Sequence, residues 1–202
     1  VQAILAQPDR STLIGQRDHV LLSLLYNTGA RIQEALDLRP QAIRFDAPAC
    51  VRLYGKGRKE RISPLWPETV ALLRSLLERI PTPADEPLFV NRYGNPLSAS
   101  GVRFKLADYV RAAEKTAPTL ARKHVTPHSF RHATAVHLVA AGVDVTVIRS
   151  WLGHVSLETT NHYAQANLET KRKALERVER PKTDSPPSWR RDQSVLDWLD
   201  TL

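Results

Sequence analysis

The hydrophobic period changes between Pro40 and Pro67, and that change limits the folds open to this chain more than any other feature. Before it, residues 17–27 place Val20, Leu21, Leu24 and Leu25 on one helical face, and Thr28-Gly29 supplies a stop followed by a new start at Ala30. The second helix then carries Arg31 in its first turn and ends near Leu38, because Pro40 disfavours helical geometry in the residue before it. Residues 41–45, 50–54 and 60–64 read as short strands rich in Ile, Val, Phe and Tyr. Gly55-Lys56-Gly57 forms the tight turn between the last two and presents Lys56 at a hairpin tip.

After Pro67 the helical period returns. Pro67 fits the first position of a helix running to about Arg79, with Val70, Leu72, Leu73, Leu76 and Leu77 on its apolar face. Residues 81–87 are loop, Tyr93-Gly94-Asn95-Pro96 has turn chemistry, and Ser98 caps a helix reaching about Lys115. Thr126 is an N-cap with Pro127 at the first helical position, and that helix stops at Gly142. Asp144 caps a further helix ending at Gly153, Ser156 caps one that carries Tyr163, and residues 167–179 form another. Residues 1–180 are thus expected to be one domain, 181–188 a proline-rich linker, and 189–202 a short helix with Val195, Leu196, Leu199 and Leu202 on one side.

Composition narrows the class of partner. The chain of 202 residues is 42% hydrophobic and 25% charged, which suits a folded domain with a real core. No apolar run approaches the roughly 18 to 20 residues that span a bilayer, and no signal-peptide pattern opens the chain, so a cytoplasmic location is expected. The single cysteine, Cys50, lies in a strand-like run and reads as packing. Lys and Arg number 29 against 21 Asp and Glu, a net charge of +8 that suits a polyanion. Arg52, Lys56, Arg58, Lys59 and Arg61 fall close together beside Glu60; Arg52, Arg58, Lys59 and Arg61 are candidate DNA contacts, against the plainer reading of a solvated hairpin. The sequence contains no methionine, and a preceding N-terminal domain is expected.

One set of scattered polar residues matches a single reaction: Arg31, Lys56, His128, Arg131, His154 and Tyr163. Cleaving a phosphodiester without a metal needs a nucleophile, fixed positive charge for the pentavalent transition state, and an acid for the leaving oxygen. Two arginines supply forked hydrogen bonds and a charge that persists at any working pH. A tyrosine nucleophile, with a phenol pKa of about 10, leaves more readily than an alcohol, so its phosphodiester intermediate is reversible and needs no ATP. No Gly-rich phosphate loop with Lys-Ser/Thr occurs, in keeping with that.

Four stretches carry a resemblance to the tyrosine recombinases, the family of phage-type integrases and Xer-like resolvases. Thr28-Gly29-Ala30-Arg31-Ile32-Gln33-Glu34-Ala35-Leu36 resembles the first arginine motif, and Gly55-Lys56-Gly57-Arg58-Lys59-Glu60-Arg61 resembles the catalytic-lysine hairpin. His128-Ser129-Phe130-Arg131-His132 is similar to the His-x-x-Arg motif, and Leu152-Gly153-His154 with Tyr163 nine residues on is similar to the terminal motif. The resemblance implies an α+β fold, mainly helical, with a small three-stranded antiparallel sheet. It also implies that Arg31, Arg131 and His154 stabilise the phosphorane, Lys56 protonates the departing 5′ oxygen, His128 assists proton transfer and Tyr163 attacks. Glu34 matches an acid that steadies the first arginine and its neighbours. The implied activity is site-specific strand exchange on double-stranded DNA through a 3′-phosphotyrosyl intermediate, by homo- or hetero-oligomers assembled on DNA, with no cofactor or metal. The 189–202 helix is expected to dock either back on its own core or, as the resemblance favours, on a neighbouring protomer. In this sequence His162 precedes Tyr163, and Ala164-Gln165 follows it where a Thr-His pair is frequent, which leaves the subgroup open.

Three rivals stand beside this reading. His128 and His132 are four apart on a helix, a spacing that can bind zinc, but no Glu follows His128 as a His-Glu-x-x-His site requires. A DNA-binding regulator without catalysis is the second, weakened because all six polar positions hold competent residue types. A type IB topoisomerase uses similar chemistry and differs mainly in the fate of the DNA after cleavage.

Overall fold

The computed structural model describes residues 1–55 and 60–153, and a long central helix organises them. Helix α1 (Gln2–Leu5) leads into α2 (Leu13–Thr28), which is buried at Gly15 to Asp18 and again from Val20 through Thr28. So complete a burial means that other elements surround α2: α4 (Pro67–Arg79) and α6 (Pro127–Ala140) pack most extensively against it, and α1 and α3 (Ile32–Leu36) also touch it. The sheet has order β1-β2-β3, with β1 (Ile43–Arg44), β2 (Cys50–Tyr54) and β3 (Glu60–Pro64) all antiparallel. Helices α5 (Ala99–Ala113) and α7 (Val145–Leu152) complete the described elements. Leu21, Leu24, Leu25, Leu53, Leu73, Leu76, Phe89, Leu106 and Phe130 form the main core, and Ala135, Leu138, Ile148, Trp151 and Leu152 a second cluster where α6 meets α7. This is the mainly helical α+β fold with a three-stranded antiparallel sheet that the resemblance implied. No helix among the described residues is long and apolar enough to cross a membrane.

Local signals set most boundaries. Strands β2 and β3 and helix α4 occupy the expected residues. Ser98 caps α5 by accepting from Gly101 N, and Asp144 caps α7 by accepting from Thr146 N. Pro127 opens α6, where Thr126 N–H donates to Ser129 Oγ at 3.0 Å. Cys50 is buried in β2, and burial pushes its thiol pKa up, as for a packing residue.

Four details differ from the sequence reading. Helix α2 begins at Leu13, four residues before 17, because Thr12 accepts from Gly15 N and provides a cap upstream of the apolar face. Arg31 is the N-cap of α3, in extended geometry, and not part of its first turn. The first strand shrinks to Ile43–Arg44 because Pro40–Ala42 winds into a 3₁₀ turn. The Gly55-Lys56-Gly57 turn expected between β2 and β3 lies, beyond Gly55, outside the described residues. Helix α5 ends at Ala113, and the polar segment after it contains a 3₁₀ turn at Pro118–Arg122. The linker 181–188, the helices expected around Tyr163 and at 167–179, and the 189–202 helix lie outside the described residues.

Gly29 sits where α2 turns into α3. Its φ of +58° is left-handed, and a Cβ there would lie 2.4 Å from Leu152 Cδ2. Left-handed strain of about 1–2 kcal/mol and overpacking of about 1–3 kcal/mol act together. Gly29→Ala is therefore expected to lower stability by about 3 kcal/mol, measured as the shift of a urea unfolding midpoint. A midpoint equal to that of the parent would refute the close packing of this turn.

Candidate active site

Three helix ends and one strand meet at a buried carboxylate. Glu34 stands at the third position of α3, 4% exposed, and its side chain turns back to accept the backbone N–H of Arg31 at 3.1 Å. Arg31 Nη1 donates to Glu34 Oε1 at 3.0 Å. From β3, Arg61 Nη2 donates to Glu34 Oε2 at 2.8 Å, so one carboxylate holds two guanidinium groups.

A third arginine lies beside them. Arg131 enters from α6, is 1% exposed, and donates through Nη1 to Gly29 O at 2.6 Å and through Nη2 to Leu152 O at 2.5 Å. Asn27 braces the strand side, donating through Nδ2 to Pro64 O at 3.2 Å while its Oδ1 accepts Trp66 N–H at 2.9 Å. Thr134 Oγ1 donates to Tyr26 O at 2.6 Å and fixes α6 along α2. The arginines thus hang from a frame of buried side-chain bonds to helix and strand ends.

The electrostatics follow from that crowding. Burial by itself would raise the Glu34 pKa, yet Arg61 above all, with hydrogen bonds from Arg61 and Arg31, brings it below the usual carboxylate range. Burial lowers Arg61, and burial with repulsion from Arg61 and Arg31 pulls Arg131 down to about 9, which leaves it a cation at neutral pH. Three guanidinium groups against one carboxylate leave this corner with excess positive charge in a poorly hydrated setting. Arg61 Nε and Arg131 Nε have no hydrogen-bond partner among the described residues, and the Arg31 side chain is 45% exposed. Such a cluster attracts an anion, and forked donors suit the oxygens of a phosphate.

The structure brings together Arg31, Glu34 and Arg131 from the residues singled out in the sequence, and it moves one residue between roles. Arg61, read as a hairpin contact to DNA, has a side chain only 9% exposed and belongs inside the cluster. The reason is register: Arg61 pairs with Leu53 across β2 and β3, and paired residues share a face of the sheet, here the buried one. That alternation was the signal available in the sequence, and the charge run concealed it. Arg52 points the other way, 53% exposed beside Glu60 at 3.4 Å. His128 is exposed near the start of α6, and His132 is half-buried. Lys56, Arg58, Lys59, His154 and Tyr163 lie outside the described residues, although Gly153, the left-handed cap of α7, directly precedes His154. Among the described residues no three His, Cys, Asp or Glu side chains group as metal ligands.

Known proteins resemble this chain in sequence and architecture. A protein of Sinorhizobium fredii named as an integrase/recombinase, y4rC, is 40% identical over 203 aligned residues, covering all of this chain and 60% of that protein. Tyrosine recombinase XerC of Chlamydia caviae is 34% identical over 87% of this chain and 55% of its own length. Tyrosine recombinase XerD of Staphylococcus aureus is 33% identical over 86% of this chain and 58% of its own length. The chain therefore spans little more than half the length of these relatives. The crystal structure of XerA recombinase superposes with a TM-score of 0.64 at 24% identity, over 90% of this chain and 63% of that one. XerH recombinase bound to difH substrate in a pre-cleavage complex superposes at 0.61 with 25% identity, over 90% and 51%. The sequence model of the phage integrase family matches residues 1–170, and the chain belongs to that family.

Proposed function

We propose that this chain is the catalytic portion of a site-specific recombinase that cuts and rejoins double-stranded DNA through a 3′-phosphotyrosyl link to Tyr163, in integration, excision, transposition or resolution. The observation that carries the proposal is the buried cluster in which Arg31, Arg61 and Arg131 outnumber Glu34, a site with charge to spare for a phosphate. Arg31 and Arg131 stabilise the non-bridging oxygens together with His154, Lys56 protonates the departing 5′ oxygen, and His128 assists proton transfer. Arg131 reaches the phosphate only if its bonds to Gly29 O and Leu152 O loosen or share their donors, since its side chain is enclosed. Arg52, and with it Arg58 and Lys59, contacts the DNA backbone.

Membership of the family supports this reading, as does the structural likeness to XerH, which has been captured on its difH substrate before and after cleavage. The same reading has the protein act in the cytoplasm as homo- or hetero-oligomers on DNA, with the 189–202 helix exchanged between protomers. It needs neither cofactor nor metal, because guanidinium and imidazole groups supply the charge a metal would.

The test is a nicked suicide substrate, offered to the full-length protein with and without excess chelator. A denaturant-stable protein–DNA adduct is expected in equal yield under both conditions. Loss of cleavage in chelator with recovery on adding zinc would favour a metallohydrolase, and DNA binding without any adduct would favour a regulator.

A further inference from the structure

We infer that Arg61 is a positioning residue for the proposed strand cleavage: from inside the fold it locks Glu34, which holds Arg31, to the last turn of α7, which delivers the chain to His154. The inference rests on the recombinase reading above and adds a residue and a role to it.

The geometry is a double clasp. Arg61 Nη1 donates to Trp151 O at 2.7 Å and to Thr28 O at 3.3 Å, while Arg131 takes the next carbonyl of each pair, Leu152 O and Gly29 O. The ends of α2 and α7 therefore present successive carbonyls to two neighbouring cations, where the helix dipoles favour positive charge. Only Arg61 also reaches the carboxylate, through Nη2 to Glu34 Oε2. A shift of Arg61 moves Glu34, and with it both the backbone N–H and the guanidinium of Arg31. Gly153 makes room for this contact, because a Cβ there would stand 2.7 Å from Arg61 Cδ.

Stability alone is a poor explanation for the arrangement. Desolvating a guanidinium and a carboxylate costs about as much as their attraction returns, and well-packed apolar side chains commonly serve as well. What a fork offers and an apolar side chain does not is direction: one rigid planar group ties acceptors on three elements together. Arg61 has the position to set Arg31 and the end of α7 in one geometry, and displacements of about 1 Å at reacting groups cost about a hundredfold in rate.

Single-turnover cleavage of the nicked suicide substrate by the full-length protein, at saturating protein, tests this with Arg61→Lys and Arg61→Gln. Arg61→Lys is expected to cleave about a hundredfold more slowly, with DNA affinity within about threefold of the parent, because charge persists and direction is lost. Arg61→Gln adds a second readout. Glu34 is faced by Arg31 from its own helix, Arg61 from β3 and Arg131 from α6, and Asp37, Arg39, Arg52 and Tyr54 line the cleft on its open side. Without Arg61, burial raises the Glu34 carboxyl, so the acid limb of the pH–rate profile is expected to move to higher pH than in the parent. A role confined to stability predicts a lower melting temperature with an unchanged rate and pH profile once DNA is bound. That outcome overturns the inference, as does failure of both variants to fold at any temperature. A parent protein that forms no adduct overturns the recombinase reading itself; a parent that cleaves, with variants that cleave equally fast, overturns only the role of Arg61.

Discussion

Tyr163→Phe is expected to form no denaturant-stable adduct with a nicked suicide substrate while binding the same DNA with affinity within about threefold of the parent. The substitution removes one oxygen and keeps the ring, a nearly isosteric change. On the proposed reading the phenolic oxygen is the attacking and later the leaving group, so its removal leaves nothing to form the phosphotyrosyl bond. Electrophoresis under denaturing conditions with end-labelled DNA reads the adduct, and equilibrium binding by fluorescence anisotropy reads the affinity. An adduct that survives in the Phe variant would remove Tyr163 from the reaction. Loss of both adduct and binding would give the tyrosine a structural duty instead.

Arg131→Lys is the second large effect, and the structure makes it twofold. An ammonium keeps the charge but cannot span Gly29 O and Leu152 O, which Arg131 bonds with two different nitrogens. Losing one forked charge-stabilising contact in the transition state is worth about 10²–10³ in rate. Leaving a buried acceptor without its donor costs about 2 kcal/mol, or about 4–8 °C in melting temperature for a domain of this size. Single-turnover cleavage and a thermal melt on the same preparation separate the two. A normal rate with a lowered melting point would reduce Arg131 to a strut between α2 and α7. A normal melting point with a lost rate would show that the carbonyl bonds are dispensable and that the guanidinium serves the phosphate alone.

Arg31 and Arg131 show where reading by motif is strong and where it stops. Thr28-Gly29-Ala30-Arg31 and His128-Ser129-Phe130-Arg131 pointed to two arginines, and the structure brings Arg31 and Arg131 together beside Glu34. Neither motif told which arginine would be open to solvent. Arg31 is, because as N-cap of α3 it sits where the chain leaves the core; Arg131 is not, because its position on α6 faces the junction of α2 with α7.

The sequence by itself determined the elements whose causes are local. Pro67 and Pro127 start α4 and α6, Ser98 and Asp144 cap α5 and α7, Gly153 ends α7, and alternation marks β2. Each follows from interactions within a few residues, so a short window contains the whole cause. Only the tertiary structure decided that Arg61 turns inward to Glu34 and not outward to DNA, and that Arg131 clasps two helix ends. Those outcomes depend on partners 90 residues away for Arg61 and Trp151, and 102 away for Arg131 and Gly29. No local preference distinguishes a solvated arginine from a buried one; that choice is made by which carbonyls and carboxylates the packed helices bring within hydrogen-bond reach, and by the cost of burying the charge without them.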